Sequence, residues 1–221
     1  RVISGDVPSR QAMGLPEQGF VFCCFNNNFK IGAAAFDIWM RLLARTDGVL
    51  WLLRDNRWAE ANLRKAAAAR GVDPNRLIFA DRVSTPVHLA RHRCADLFLD
   101  TFDFNAHTTA SDALWAGLPI VTKLGDGFAA RVAASLLHAV DLPELVTEST
   151  GDYEDLALDL ATNPLRLATI RARLAANRST APLFDTEGFA RHIELAYRMV
   201  HDRSLRGLQP DHIRVPAIAR A

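Results

Sequence analysis

Cysteine is scarce: Cys23, Cys24 and Cys94 are the whole complement of a 221-residue chain. They form no C-x-x-C pair and no cysteine–histidine cluster at metal-ligand spacing, which argues against a disulfide framework and against a structural zinc site. An odd number of thiols within or beside apolar segments fits buried, inert groups in a reducing compartment, so cytoplasm is the expected location. Long apolar runs are missing too, and none approaches the roughly 20 residues needed to cross a bilayer. Charge of one sign is not in excess. Lysine and arginine together number 26 against 25 acidic residues, a formal net charge of +1, which is no electrostatic footprint for DNA or RNA. The expected partners therefore include neither nucleic acid nor membrane. There is no Walker A loop, no H-E-x-x-H, no G-x-S-x-G elbow and no D-x-D for a metal-bridged pyrophosphate. A signal-peptide pattern is also lacking. The chain opens on Arg1 rather than Met, so it reads as a piece of something longer.

What is present is an ordinary globular balance, 49% hydrophobic and 23% charged, arranged in alternating short strands and helices. "GFVFCCF" (19–25) and "GVLWLL" (48–53) are β-rich and apolar on both faces, as strands of a covered parallel sheet are. "RLIFA" (76–80), "ADLFLD" (95–100) and "LPIVT" (118–122) continue the series. Helical patterns fall between them, at roughly 33–46, 57–70, 86–93, 108–116 and 127–138. This alternation predicts an α/β fold with a doubly wound parallel sheet. After about residue 150 the strands stop and amphipathic helices follow, with Pro164 at a first helical position and Asp185 at an N-cap. The predicted division is a linker over 1–18, an α/β domain over 19–150, closing helices over 151–203, and a tail over 204–221 that packs elsewhere or is mobile.

Ligands of open parallel sheets bind at the carboxyl ends of the strands. Three such loops carry suitable chemistry: "FNNNFK" (25–30), "DRVSTPVHLAR" (81–91) and "DFNAHTTASD" (103–112). Lys30, one of three lysines, is a compact cation at a strand–helix junction, suited to a phosphate. His88 and Arg91 are three apart on one short helix, and together they suit a planar base. In the third loop Thr109 and Asp112 have capping-box spacing, while His107 beside Thr108 and Thr109 suits an anion at the helix start. Asp112 suits a ribose hydroxyl. "LGDGFAAR" matches a dinucleotide fingerprint through Gly125, Gly127 and Ala130. It follows the fifth strand instead of the first, so a nicotinamide or flavin is not expected.

At these loops the sequence resembles a known family. "FCCFNNNFKI", "VLWLLR", "RLIFADRV", "ADLFLDTFDFNAHTTASDALWAGLPIVT" and "FAARVAASLL" closely resemble the C-terminal catalytic lobe of O-linked N-acetylglucosamine transferases of the bacterial and SPINDLY-like type. "DYEDLA" and "APLFDT" resemble that family's closing helices, so the likeness runs from about Gly14 to Asp202. The resemblance implies the Rossmann-like, UDP-binding lobe of a GT-B glycosyltransferase. It implies inverting, metal-independent transfer of N-acetylglucosamine from UDP-GlcNAc to Ser or Thr hydroxyls of an acceptor protein. No cofactor is implied. An N-terminal lobe bearing the proposed catalytic histidine, and tetratricopeptide repeats, are implied as further parts of the enzyme, so the lobe alone is expected to be inactive.

Carried over residue by residue, the resemblance gives Lys30 the diphosphate and the catalytic role of stabilising the leaving group. It gives His107, Thr108 and Thr109 the phosphate-binding helix start, and Asp112 the ribose. Val83, His88 and Arg91 surround the uracil. Two departures stand out: Asn27 replaces a glutamine on the phosphate or sugar, and Thr85 replaces a lysine near the nucleotide. Two other readings stay open on sequence. One is a non-catalytic, nucleotide-sensing lobe. The other is a GT-B enzyme with a different sugar nucleotide or a small-molecule acceptor.

Overall fold

The computed structural model describes residues 1–218; residues 219–221, the end of the expected tail, lie outside the described residues. Six strands form one parallel sheet: β1 (Val21–Cys24), β2 (Val49–Leu53), β3 (Leu77–Ala80), β4 (Leu97–Leu99), β5 (Ile120–Lys123) and β6 (Val146–Thr147). Their spatial order is β3-β2-β1-β4-β5-β6. Cys23 of β1 lies level with Trp51 of β2 on one side and Phe98 of β4 on the other. β1, β2 and β4 are buried along their whole length. Helices cover both faces, which is why these strands are apolar throughout instead of alternating.

Helices α1 (Ala33–Ala44), α2 (Arg57–Ala68), α3 (Thr85–Arg91), α4 (Thr108–Ala116) and α5 (Val132–Ala139) connect successive strands. The expected doubly wound layer is thus present, with one strand more than the sequence pattern showed. β6 has only two residues, too few for any period to register. A 3-10 turn, Phe128–Ala130, precedes α5, so the helix begins later than its apolar pattern.

The closing helices are α6 (Thr150–Thr162), α7 (Pro164–Asn177) and α8 (Thr186–Leu205). Ser149, Asn163 and Asp185 cap them, each accepting from a backbone N–H of the first turn. Tyr153 of α6 is fully buried against the sheet, its hydroxyl donating to Asp100 O at 3.0 Å and accepting from Trp39 Nε1 at 3.2 Å. All three cysteines are free and buried. Burial pushes the Cys23, Cys24 and Cys94 thiols up, so they are protonated and unreactive.

The first residues run across the lobe: Ser4 N donates to Pro86 O, Leu15 is buried, and Arg10 pairs with Asp96 at 2.7 Å. At the other end Ile218 N reaches His192 Nε2 at 3.2 Å. Among the described residues no helix is long and apolar enough to cross a membrane.

Candidate functional site

The winding of the sheet reverses between β1 and β4, and the loops that follow these two strands part there. That crevice is where open α/β sheets take ligands. Beyond β1 come Asn26 and Asn27, then the 3-10 turn Asn28–Lys30. Beyond β4 the chain loops through residues 100–107 into α4.

A buried polar layer fixes both loops. Asp100, wholly buried, accepts from Thr101 N (2.8 Å), Ala106 N (2.6 Å), Asn26 Nδ2 (3.3 Å) and Thr122 Oγ1 (2.7 Å). Asn26 also donates to Thr101 Oγ1 at 2.8 Å and accepts from Thr109 Oγ1 at 2.6 Å. Asn105, equally buried, donates to Thr101 O at 2.7 Å. Burial pushes the Asp100 carboxyl up to about 7 although four donors pull it down.

Against this layer sits Lys30. Its Nζ donates to Asn105 O at 3.0 Å and lies 3.9 Å from the centre of the Phe104 ring. Burial lowers its pKa, while the Asp100 carboxylate raises it. His107 stacks on Phe104, centroids 4.8 Å apart, with Nε2 at 3.1 Å from Ala129 O.

The capping box expected from Thr109 and Asp112 is not formed. His107 is the N-cap of α4 and sends no side chain to the helix. Thr109 lies inside the helix and bonds sideways to Asn26, while Asp112 accepts from Arg1 Nη1 at 2.8 Å. The first helical N–H to meet a carbonyl is that of Ser111, on His107 O at 3.1 Å. The N–H groups of Thr108, Thr109 and Ala110 therefore face out of the helix end, the arrangement that attracts an anion.

Beside this end lies a cleft of about 280 Å³. It brings together Asn27, Val83, His88, Arg91, Thr109 and Asp112 from the expected set, along with Thr85. Lys30, His107 and Thr108 are not on its walls; they belong to the neighbouring helix-end cluster. Arg91 is almost fully buried and bonded on one side of its fork: Nε donates to His88 Nδ1 at 3.0 Å and Nη1 to Asp81 O at 2.6 Å. Its hydrogen bonds orient His88 and leave that ring's proton on Nε2. Burial, helped by Arg91 and Arg82, lowers the His88 pKa to about 4, so the imidazole is neutral at pH 7. Burial raises the Asp112 carboxyl, against the charge of Arg1.

Sequence reasoning passed over Asn26, Asp100 and Thr101. The available signal was an acid closing the apolar run "ADLFLD", beside the "NNN" of the facing loop. The glycine-rich decoy folds onto itself: Gly125 N donates to Ala130 O at 2.9 Å, and a Cβ on Gly125 would lie 2.5 Å from that of Ala130. Its glycine thus serves local packing.

Residues 4–193 match the model of glycosyl transferase family 41. The chain is 39% identical over 210 residues to a probable UDP-N-acetylglucosamine–peptide N-acetylglucosaminyltransferase, SEC, of Arabidopsis thaliana. It is 36% identical over 206 residues to a UDP-N-acetylglucosamine–peptide N-acetylglucosaminyltransferase of Caenorhabditis elegans. These alignments cover 94% and 93% of this chain but only 22% and 18% of the relatives, so the chain spans about a fifth of their length. Among solved structures, a mutant of the Thermobaculum terrenum O-GlcNAc transferase superposes with a TM-score of 0.80 at 32% identity. The match covers 86% of this chain and 37% of that one. Sucrose-phosphate synthase from Thermosynechococcus elongatus shares the fold, with a TM-score of 0.60 at 14% identity.

Proposed function

Because the chain belongs to glycosyl transferase family 41, we propose that it is the UDP-binding lobe of an enzyme that transfers N-acetylglucosamine from UDP-GlcNAc to Ser or Thr hydroxyls of proteins. The observation that carries this reading is the seat of Lys30, on the Asn105 carbonyl three residues before the open N-terminus of α4. An ammonium and a helix end converge there, and both favour the same anion.

As the sugar leaves, negative charge grows on the β-phosphate of UDP. Lys30 and the N–H groups at Thr108 and Thr109 are held by the layer under them, so they meet that charge without rearranging. Interactions that strengthen as the bond breaks lower the barrier more than they tighten the ground state. In the adjoining cleft Asp112 takes the ribose, while Val83 and the neutral His88, oriented by Arg91, take the uracil. Asn27 is within reach of the phosphates or sugar. The reaction inverts the anomeric carbon, and the acceptor base comes from the rest of the enzyme.

Three measurements test the proposal. Calorimetric titration of the chain with UDP should give saturable binding. In the complete protein, Lys30→Ala should lower kcat by roughly 10²–10³, the scale for losing one oxyanion donor. A loss smaller than about tenfold removes Lys30 from this role. Mass analysis of acceptor proteins after incubation with a panel of UDP-sugars decides the donor, and failure to modify any protein overturns the transferase reading.

A further inference from the structure

Arg82 shares the walls of the cleft with Asn27, Thr85, His88 and Asp112, yet none of the roles above uses it. It lies two residues beyond β3, with 63% of its side chain exposed. Its Nη2 donates to Asp55 Oδ1 at 2.9 Å and to Asn27 Oδ1 at 3.3 Å. The second bond crosses from the loop after β3 to the loop after β1, which brings the guanidinium to the loop that carries Lys30. Both bonds run through Nη2, so Nε and Nη1 stay available on the same planar fork. The charge is also felt inside the cleft, where it adds to the depression of the His88 pKa.

Two of the other cations nearby have less freedom. Arg91 is buried and bonded to His88 and to Asp81 O, and Lys30 stands on Asn105 O beyond the cleft wall. Thr85 is neutral. A nucleoside diphosphate carries more negative charge than one ammonium and one helix end neutralise. An exposed guanidinium already tethered across the cleft is the group placed to supply the remainder.

We propose that Arg82 is a further nucleotide-binding residue, turning Nε and Nη1 onto the diphosphate of the ligand while Asp55 keeps the side chain over the cleft. A guanidinium matches phosphate oxygens in pairs, which an ammonium cannot do. The inference rests on the reading of this cleft as a nucleoside-diphosphate site.

The test is calorimetric titration of the chain, unaltered and as Arg82→Gln and Arg82→Lys, with UDP and separately with uridine. Arg82→Gln should weaken UDP about tenfold, the scale for one charge-assisted contact at a partly exposed site. Uridine, which has no phosphate, should bind within about twofold of the unaltered chain. Arg82→Lys should recover part of the UDP loss, since it keeps the charge and loses the fork. Both variants should melt with the unaltered chain, because an exposed ion pair contributes little to stability. UDP binding unchanged in Arg82→Gln, or UDP and uridine weakened alike, overturns the role of Arg82 and leaves the cleft assignment standing. An unaltered chain that binds no UDP overturns both.

Discussion

Asp100 and His92, both buried, and the half-buried His88 are titratable side chains within or beside the site, and they pull the pH dependence of stability in opposite directions. Burial raises Asp100 from 3.8 to about 7, so the folded chain binds the extra proton and stability falls as pH rises between those values. Burial lowers His88 from 6.5 to about 4 and His92 to about 3. For these rings the unfolded chain binds the extra proton, and stability rises with pH up to about 6.5. Each group contributes a slope of up to about 1.4 kcal/mol per pH unit. Two rings outweigh one carboxyl, so urea unfolding midpoints should climb between pH 4.5 and 6. Asp100→Asn removes the opposing slope while an amide still accepts from Thr101 N and Ala106 N, and the Thr122 hydroxyl can turn to accept. The variant should be at least as stable as the parent at pH 4.5 and show about twice the climb. Equal climbs in both proteins would show that Asp100 is ionised in the fold. Lys30 and His88 stood out in the sequence, Lys30 as one of three lysines at a strand–helix junction and His88 for its three-residue spacing from Arg91. Asp100 did not, since an acid closing an apolar run looks the same whether it faces water or the interior.

The elements show a similar division. Five strands and the helices between them were visible because apolar runs and helical periods extend over several residues, and Pro164 and Asp185 marked helix starts that the structure places where expected. β6 was too short to see. Spacing alone misassigned α4: Thr109 and Asp112 satisfy the rule for a capping box, but the true N-cap is His107, and Asn26, eighty-three residues away in sequence, takes the Thr109 hydroxyl. Only the tertiary fold supplies that competitor. The two assignments predict different outcomes for Asp112→Ala. A lost cap would cost about 1 kcal/mol of stability and leave UDP binding alone. In the fold Asp112 holds the partly exposed Arg1, a pair whose loss costs little, and it lines the cleft. The variant should therefore melt within a degree or two of the parent and bind UDP about tenfold more weakly, the scale of one charge-assisted hydrogen bond. A genuine cap provides the control. Ser149 accepts from Asp152 N at 3.0 Å at the start of α6, the helix that carries Tyr153 to Asp100 O. Ser149→Ala should lower unfolding free energy by about 1 kcal/mol with UDP affinity unchanged.

At the scale of the whole molecule, the proposed function makes two different demands, one on binding and one on chemistry. Binding needs only the groups that touch the nucleotide, and the crevice between β1 and β4 gathers cleft walls, helix end and Lys30 on one rigid sheet edge. UDP should therefore stabilise this chain by mass action, by about 2.7 kcal/mol at a hundredfold excess over Kd, read as a rise in melting temperature that uridine reproduces only at higher concentration. Chemistry needs more. On the proposed reading, displacement at the anomeric carbon requires an acceptor hydroxyl and a base in line with the departing diphosphate, and holding the donor alone gives none of the gain from bringing reactants together. The chain spans 37% of the solved O-GlcNAc transferase it resembles, and every group assigned above acts on the donor, none on the acceptor. UDP-GlcNAc added to this chain with an acceptor peptide should then be bound and returned unchanged, with no sugar on the peptide by mass. Adding the remainder of the enzyme should restore transfer, in proportion to how far it closes over the nucleotide. Glycosylated peptide from the chain alone would mean that the acceptor base lies on this lobe, and His107, stacked on Phe104 beside Lys30, would be the first side chain to replace.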